Sequence, residues 1–310
     1  MGGQDGHYLS RLLREKGYDV FGFDIRGDRT GDHFLVGDIS DCSSLVSALR
    51  KARPSEIYHL AAQSSVAASH EEEQSTTVIN AHGLSRLVDA SCEAGMDLSK
   101  LRICQASSSE IFGYRTPGAL DELSPFRPET PYGRSKLIAH KYAMSLRSEG
   151  DFTCNAIFFN HESPLRPGTF VTQKIATGVA KIVLGLEDSI TLGDTNICRD
   201  WGFAADYVEA MWLMLKQTEP DDYVIASGKP HFIASFLEHA FEHVGISDWA
   251  SHVNIDESFI RKVDATILYG NPSKAERVLG WKPRVDFQQL VALMVDAALE
   301  RLSSSVSDNN

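Results

Sequence analysis

The sequence predicts an α/β protein with a parallel sheet, and three observations support this. In the first half, short β-branched or aromatic runs alternate with stretches that carry apolar residues at helical spacing. Such alternation is typical of strands joined by crossover helices that cover both faces of a sheet. A glycine-rich turn also stands directly before the first helical stretch. Together these features predict a doubly wound parallel sheet of the Rossmann type.

The elements of the first half follow one another in alternation. The glycine turn leads into a helix, and the run DVFGFD that comes next is typical of a buried strand. The next strand candidates, EIYHLA and LRICQA, are separated by segments with helical apolar spacing. The predicted helices span residues 7–16, 43–51, 76–94 and 133–147, and the predicted strands span residues 19–24, 56–61, 101–106 and 153–159.

After residue 160 the alternation loosens. Helices are predicted over residues 172–184, 207–215, 235–244 and 288–302, with a strand over 223–226. We therefore expect a dinucleotide-binding domain over residues 1–160. A smaller, mixed C-terminal portion over 161–302 is expected to bind substrate and to return some chain to the sheet. Residues 303–310 are polar and lack periodicity, which predicts a disordered tail.

The N-terminus lacks the strand that ordinarily precedes a glycine-rich turn. The chain opens with the turn itself, so no residues are left to form that strand. Loss of a central strand would leave backbone groups of its neighbours unpaired. We therefore expect that the first strand is missing from this sequence and that the native start lies further upstream.

Composition and charge argue against several classes of function. The 310 residues carry a net charge of −12 without a basic cluster, whereas nucleic-acid binders present a basic face. No stretch approaches the ~20 apolar residues of a membrane span, and no secretory signal opens the chain. The five cysteines include no CxxC pair, so neither a disulfide framework nor a metal site is predicted. We expect a cytoplasmic protein without nucleic-acid, membrane or metal partners.

The glycine-rich turn predicts a dinucleotide site. Gly3 and Gly6 allow a tight turn and a close approach of the backbone to a pyrophosphate, and Gln4 and Asp5 lie between them. The free N–H groups and the positive dipole end of the following helix favour phosphates at this place. All four residues are therefore predicted to bind the cofactor.

The residues after the next strand leave the 2′ group of the cofactor open. Asp24 at the strand end is suited to a ribose 2′-hydroxyl and favours NAD. Arg26 and Arg29 are suited to a 2′-phosphate and favour NADP. Asp38 is a candidate partner of the adenine amine. The other predicted cofactor contacts are Ile39, Leu60, Ala61, Ala62 and Ser64.

A YxxxK motif and an upstream hydroxyl-rich segment predict catalytic residues. Tyr132 and Lys136 lie one helical turn apart, so the ammonium is expected to lower the pKa of the phenol and allow it to act as a general base. Ser108 in QASSSEIFG follows a strand and is suited to bind a sugar hydroxyl. Glu110, beside apolar Ile111, is expected to have a raised pKa and to exchange a proton with carbon.

Several longer segments make the chain resemble the GDP-mannose 4,6-dehydratase family, a group of extended short-chain dehydrogenases/reductases. The similarity runs from Gly3 to about Asp286. The segments NHESP and RDWG separate this family from most of its relatives. The segments that carry the resemblance are GQDG, LAAQS, QASSSEIFG, TPYGRSK, FNHESPLR, FVTQKI, RDWGFAADYVEAMW and LGWKPRV.

The resemblance implies a reaction and a set of roles. The family's catalytic hydroxyl falls on Ser108, its carboxylate on Glu110, and its Tyr–Lys pair on Tyr132 and Lys136, which also contact the cofactor. The implied cofactor is NADP, with NAD possible, and the implied substrate is GDP-mannose or a related nucleotide sugar. The implied substrate contacts, with arginine forks suited to a diphosphate, are Asn160, Glu162, Arg166, Lys174, Leu192, Gly193, Arg199 and Arg261.

Two other functions stay open from the sequence. A nucleotide-sugar reductase or epimerase of the same superfamily would share the Tyr–Lys pair, but a net reductase needs no base at C5, so Glu110 discriminates against it. A non-catalytic nucleotide-binding subunit would share the fold, although the intact catalytic set argues against it. A homodimer is expected because symmetric dimers are the commonest assembly, and a homotetramer is the alternative.

Overall fold

The computed structural model describes residues 2–27, 33–116, 118–259 and 267–307. Its strands are β1 (Gly22–Asp24), β2 (Phe34–Val36), β3 (Glu56–His59), β4 (Arg102–Ser108), β5 (Phe152–Phe158), β6 (Asn160–Glu162), β7 (Ile190–Leu192), β8 (Cys198–Phe203), β9 (Asp222–Ile225), β10 (Pro230–Phe232), β11 (Val253–Ile255) and β12 (Ile267–Leu268). Its helices are α1 (Gln4–Glu15), α2 (Cys42–Ala52), α3 (Ala68–Glu71), α4 (Glu73–Thr76), α5 (Gly83–Glu93), α6 (Pro131–Ser148), α7 (Val171–Val183), α8 (Ala204–Met214), α9 (Ile233–His243), α10 (Ser273–Leu279) and α11 (Phe287–Ser307).

The main sheet is parallel and buried on both faces. Its strands lie in the order β3-β4-β5-β9, and every neighbouring pair is parallel. β4 is buried along almost its whole length, as expected where helices cover both faces. One helical layer packs on it through α2, α5 and α6, and the other through α8 and α10. The predicted alternation of strands and helices is therefore realised.

A second parallel pair, β1 with β2, is separate from the main sheet. In the described ranges, no strand hydrogen-bonds to both β1 and β3. Helix α1 lies beside this region and packs Tyr8, Leu9 and Leu13 against Ala204 and Val208 of α8. The expectation of a further strand ahead of the glycine turn stays a prediction.

The second half contributes small sheets and an apolar cluster of its own. β8 is central: β10 pairs with it in the antiparallel sense, while β12 and β6 pair with it in parallel. Asp200 on β8 accepts the backbone N–H groups of Ser227 at 2.7 Å, Gly228 at 2.9 Å and Gly270 at 3.2 Å. This buried carboxylate thereby joins β8 to the chain that follows β9 and β12. The mixed character predicted for this half is present.

The last C-terminal helix extends further than the sequence pattern indicates. α7, α9 and α11 pack around Trp201, Phe236 and Phe287. The sequence predicts that the last helix ends at Leu302 and that a disordered tail begins there, but α11 continues to Ser307. The segment SSSVS contains neither Gly nor Pro, so nothing in it stops an already nucleated helix from propagating. Among the described helices, none is both long and apolar enough to cross a membrane.

Candidate active site

The candidate catalytic residues meet where β4 ends and α6 begins. Thr130 is the N-cap of α6 and accepts the N–H of Gly133 at 2.9 Å, and Pro131 occupies the first helical turn. A hydroxyl cap followed by proline is a strong helix start, so the position of this helix is set locally. Tyr132 and Lys136 consequently stand one turn apart on the same face of α6.

Lys136 is anchored to the neighbouring strand. Its Nζ donates to the carbonyl of Ala106 on β4 at 3.0 Å and lies 5.8 Å from the centroid of the Tyr132 ring. Burial lowers the pKa of Lys136 to about 8, although the charge of Asp5 opposes this. The lysine therefore holds the start of α6 against the end of β4.

The pKa of Tyr132 departs from the sequence-based expectation. Burial, and to a smaller extent the charge of Glu110, raise it to about 12, although a hydrogen bond with Ser108 and the charge of Arg166 oppose this. The expectation that Lys136 would bring the Tyr132 pKa below its ordinary value is therefore wrong for this arrangement. Desolvation of a buried phenol outweighs the charges around it.

Glu110 is held by hydroxyl groups rather than surrounded by apolar ones. Tyr114 donates its hydroxyl to Glu110 Oε2 at 2.6 Å, and Thr130 Oγ1 lies 3.4 Å from the same oxygen. Ile111 and Phe112, the apolar neighbours in sequence, point into the core and are fully buried. The carboxylate therefore does not face the apolar neighbour from which its raised pKa is expected. Sequence reasoning missed both hydroxyl partners, which lie four and twenty residues from Glu110.

The glycine turn is suited to a dinucleotide. Gly3 is the N-cap of α1, and among the described residues no side chain caps the first amides of the helix. A Cβ on Gly3 would meet nothing within 4 Å, which leaves open space beside these amides. A Cβ on Gly2 would lie 2.8 Å from Asp24 Oδ2, so a larger residue there would displace the Asp24 carboxylate. The turn therefore fits a pyrophosphate held by backbone N–H groups.

The residues of this turn are tied to β6. Gln4 Nε2 donates to the carbonyl of His161 at 3.1 Å, and Ser163 donates to Gln4 Oε1 at 2.7 Å. Asp5 Oδ2 lies 3.1 Å from His161 Nε2. Burial opposes both charges, yet each partner stabilises the other, so the pKa of Asp5 is lowered and that of His161 is raised. Sequence reasoning missed His161 and Ser163, although NHESP contains them.

Asp24 and Arg26 stand together at the end of β1. The Asp24 carboxylate accepts the backbone N–H of Gly2 at 2.6 Å and that of Arg26 at 3.1 Å. Its Oδ1 also lies 3.6 Å from the Arg26 Nε. Burial opposes its charge, but these donors lower the pKa of Asp24 to about 2. The acid and the guanidinium predicted to face the cofactor ribose are thus adjacent. Arg29 lies outside the described residues.

The remaining predicted cofactor residues lie in the turns that follow β2 and β3. Asp38 Oδ1 accepts the N–H of Ser40 at 2.8 Å, and Ile39 is buried. Asn80, in a π-helical turn over Thr77–Ala81, exchanges two hydrogen bonds of 2.9 Å with the backbone of Gln63. Such turns are frequent at functional sites. Asn80 thereby fixes the loop that contains the predicted contacts Leu60, Ala61, Ala62 and Ser64.

One group of predicted substrate residues lies on β6, on β8 and in the loop after β6. Asn160 pairs in register with Trp201 of β8, which places it two residues along from Arg199 on the neighbouring strand. Arg199 is buried and donates to the carbonyl of Cys198 at 2.8 Å. Buried Glu162 lies 3.0 Å from the Arg166 Nε and accepts the Thr172 hydroxyl at 2.8 Å. The guanidinium of Arg166 stacks 3.6 Å above the Phe170 ring.

A second group of predicted substrate residues meets at Phe259. The Lys174 Nζ lies 4.6 Å from the centroid of the Phe259 ring. A Cβ on Gly193, next to Leu192 at the end of β7, would lie 3.0 Å from the Phe259 carbonyl oxygen. Residues from α7, β7 and the segment after β11 are therefore brought together. Arg261, which follows shortly, lies outside the described residues.

Tyr132 is influenced by residues from three parts of the site: the end of β4 and the turn after it, the glycine turn, and the loop after β6. Its pKa responds to Glu110 beside it, to Asp5 of the glycine turn and to Arg166 of the loop after β6. Ser108, at the end of β4, completes this set. No group of three or more His, Cys, Asp or Glu residues in the described part of the chain is arranged to hold a metal ion. The arrangement can take a proton from an alcohol and pass another between carboxylate and substrate.

Comparison with known proteins gives consistent likenesses. The family profile described as GDP-mannose 4,6 dehydratase matches residues 1–294. GDP-mannose 4,6 dehydratase 1 of Arabidopsis thaliana is 44% identical over 96% of this chain and 88% of the relative. The human GDP-mannose 4,6 dehydratase is 38% identical over 98% of this chain and 91% of the relative. The GDP-mannose 4,6-dehydratase of Yersinia enterocolitica is 36% identical over 96% of this chain and 92% of the relative.

Solved structures share the fold at lower identity. DesIV, a dTDP-glucose 4,6-dehydratase from Streptomyces venezuelae with NAD bound, superimposes with a TM-score of 0.84 at 24% identity, over 98% of this chain and 96% of that one. RMD from Pseudomonas aeruginosa, complexed with NADPH, has a TM-score of 0.81 at 22% identity, over 96% of this chain and 97% of that one. These likenesses confirm the predicted Rossmann-type α/β fold class.

Proposed function

The chain belongs to the GDP-mannose 4,6-dehydratase family, and we propose that it converts GDP-mannose to GDP-4-dehydro-6-deoxymannose. It is thus a hydro-lyase that acts on a nucleotide sugar. One observation in the site supports the proposal above the others: Thr130, the N-cap of the helix that contains Tyr132, contacts the Glu110 carboxylate at 3.4 Å, so Glu110 and Tyr132 lie in one site. Glu110 supplies the proton transfer at carbon that a dehydration requires, and Tyr132 supplies the proton transfer from an alcohol that a dehydrogenase requires.

The cofactor is NADP, with NAD as the alternative, and it would be held by the glycine turn, by Asp24 and Arg26, and by the loop after β3. When bound, it supplies the hydride acceptor for C4 of the sugar and the hydride donor for C6, so no net oxidation results. Lys136 keeps α6 docked on β4 and thereby positions Tyr132. We propose that the substrate nucleotide is bound by two groups of residues. The first is on β6, on β8 and in the loop after β6, namely Asn160, Glu162, Arg166 and Arg199, and the second is around Phe259, namely Lys174, Leu192 and Gly193. Arg261, which lies outside the described residues, is proposed to bind the same nucleotide.

Tyr132 and Ser108 act on the 4-hydroxyl of the sugar. Ser108 hydrogen-bonds to Tyr132 and lowers its pKa, as does the positive charge of Arg166, so both favour the phenolate that accepts the proton. Burial opposes this and makes the neighbouring donors necessary. Removal of the 4-hydroxyl proton, together with loss of the C4 hydride to the bound cofactor, would leave a ketone at C4, which acidifies the hydrogen on C5.

Glu110 acts on C5 and C6. As a carboxylate it removes the C5 proton, and as a carboxylic acid it returns that proton to the departing C6 hydroxyl, which leaves as water. One residue therefore performs both halves of the elimination, and the proton that Tyr132 took from the 4-hydroxyl is the one that C5 would receive when hydride adds at C6. Because Thr130 touches both Glu110 and the first turn of α6, the carboxylate keeps a fixed relation to Tyr132.

We also propose that the enzyme is a cytoplasmic homodimer or homotetramer. All five cysteines belong to the described part of the chain, and none of them is bonded to another, which agrees with a reducing compartment. Size-exclusion chromatography with light scattering would give the assembly state, and a monomer would contradict this part of the proposal.

The test of the reaction is a product analysis. We expect GDP-mannose, incubated with the enzyme and a catalytic amount of NADP⁺, to lose one water without accumulation of NADPH, as followed by mass spectrometry and absorbance. Glu110→Gln should lower the dehydration rate by at least about 100-fold. It should still oxidise C4, so NADPH should accumulate to one equivalent per site. Net consumption of NADPH by the wild type would instead indicate a nucleotide-sugar reductase.

A further inference from the structure

The hydroxyl of Tyr114 makes a contact that the mechanism above does not use. It donates to Glu110 Oε2 at 2.6 Å, the distance of a charge-assisted O–H···O⁻ bond. Both residues are partly buried, so this bond is screened less than one on the surface. A strong bond to the carboxylate that performs the elimination restricts its orientation and biases its protonation.

The turn that places Tyr114 is built by the backbone. Gly113 has φ +69°, and a Cβ there would lie only 2.0 Å from the Arg127 carbonyl oxygen. The Arg127 N–H bonds to the Ile111 carbonyl at 2.9 Å, and the Tyr114 N–H bonds to Glu129 Oε1 at 3.2 Å. These contacts fold the chain back after Glu110, so the Tyr114 ring returns to the carboxylate four residues before it.

We propose that Tyr114 is a positioning residue for the elimination: it holds one oxygen of Glu110 and keeps the carboxylate ionised and oriented to remove the C5 proton. The proposal rests on the function proposed above. Tyr114 acts through Glu110 and not on the sugar, so the oxidation at C4 does not depend on it.

Other groups around Glu110 determine how strongly loss of the Tyr114 hydroxyl affects the Glu110 carboxylate. Thr130 contributes a longer contact of 3.4 Å to the same oxygen, and the phenol of Tyr132 interacts with Glu110 from α6. Glu129 Oε2 lies 3.4 Å from the Arg115 Nε, and Glu129 Oε1 accepts the Tyr114 N–H, so this ion pair contacts the Tyr114 backbone. Loss of the Tyr114 hydroxyl removes the shortest of the donors described for the carboxylate and leaves Thr130. The pKa of Glu110 should then rise, because a hydrogen bond to the charged form favours that form.

The test compares Tyr114→Phe with a matched control, Tyr58→Phe. Tyr58 donates to Glu56 Oε2 at 2.7 Å on β3, so the control removes a Tyr–Glu bond of nearly the same length outside the catalytic set. For each protein we would measure the pH profile of kcat/KM with GDP-mannose, the NADPH transient in a single turnover, and the thermal unfolding midpoint.

We expect Tyr114→Phe to move the acidic limb of the profile upward by about one pH unit, and to slow water loss by about 10-fold. The rate of C4 oxidation should be unchanged, so NADPH should accumulate transiently. Tyr58→Phe should match the wild type in its pH profile and should show no NADPH transient. An unshifted acidic limb with no NADPH transient would overturn the proposal, as would an equal slowing of oxidation and elimination. A wild type that fails to dehydrate GDP-mannose would overturn the proposed function itself, which the same assay reveals separately.

Discussion

Gly113 shows how one backbone conformation supports the candidate active site. Its φ of +69° lies in the left-handed region, and a Cβ would collide with the main-chain carbonyl of Arg127 at 2.0 Å. Gly113→Ala should therefore lower the free energy of unfolding by about 3 kcal/mol or more, since conformational strain and a backbone clash add. It should also reduce dehydration, because the turn that holds Tyr114 near Glu110 is displaced. Urea denaturation and the product assay measure the two effects.

Gly95 supplies the control for this substitution. Its φ is +76°, but a Cβ there would meet nothing within 4 Å. Gly95→Ala should lower the free energy of unfolding by only about 1 kcal/mol, from conformational strain alone, and leave activity unchanged. Equal destabilisation by the two substitutions would show that the contact with Arg127 does not matter.

At the scale of residues, the sequence predicts identities better than environments. The YxxxK spacing and the segment QASSSEIFG are enough to single out Tyr132 and Glu110. The direction of the Tyr132 pKa shift was beyond reach because it is decided by burial, which depends on packing from several elements. The partners of Glu110 were missed for a related reason: a hydrogen bond between Tyr114 and Glu110 requires the left-handed turn at Gly113.

Among the elements, α1 and β6 are joined by buried polar contacts that hold the cofactor turn in place. Ser163 donates to Gln4 Oε1 at 2.7 Å, and Gln4 in turn donates to the His161 carbonyl. Ser163→Ala leaves the Gln4 oxygen without this donor in a buried site, which costs about 1–3 kcal/mol. We expect the affinity for NADPH to fall by roughly 10-fold, as measured by fluorescence titration.

Ser91→Ala is the matched control for this prediction. Ser91 is equally buried and donates to the Leu87 carbonyl at 2.7 Å within α5. Its loss should change stability slightly and leave the affinity for NADPH as in the wild type. If Ser163→Ala binds NADPH as tightly as Ser91→Ala does, the link between α1 and β6 has no part in cofactor binding.

Elements with local signals were predicted well, and elements defined by distant contacts were not. α6 begins two residues before the predicted start because Thr130 and Pro131 cap it. β6 was not predicted: it is three residues long and forms only by pairing with β8, which is distant in sequence. The contacts between Gln4 and β6 span 157 residues, and no local pattern encodes them.

For the whole molecule, the strict alternation of strands and helices was enough to predict the parallel sheet and its two helical layers. The second half could be predicted only as mixed, because its short strands outside the main sheet pair over long sequence distances: β6, β10 and β12 pair with β8, and β7 pairs with β11. The convergence of the glycine turn, β4, α6 and the loop after β6 follows from the carboxyl ends of parallel strands meeting at one edge. The proposed substrate contacts rest on the family resemblance and stay a prediction.

Two buried histidines should make the stability of the whole molecule depend on pH. Burial lowers the pKa of His59 and of His140 to about 4, although Gln105 and Asp222 respectively oppose this. In the unfolded chain their ordinary value is 6.5, so below it the unfolded state takes up protons that the folded state does not. The stabilisation is fully present above about pH 6.5 and is lost progressively as the pH falls toward about 4.

Urea denaturation at about pH 7.5 and at about pH 5 measures this dependence. Each of the two histidines should lower the free energy of unfolding by about 2 kcal/mol between these conditions. In His140→Gln, which keeps a polar group beside Ser107, the dependence should therefore shrink by about 2 kcal/mol, while the exposed control His82→Gln should keep it in full. Identical pH dependence in His140→Gln and the wild type would mean that His140 is protonated in the folded state at about pH 5. Its ion pair with Asp222, 3.6 Å away, would then outweigh its burial.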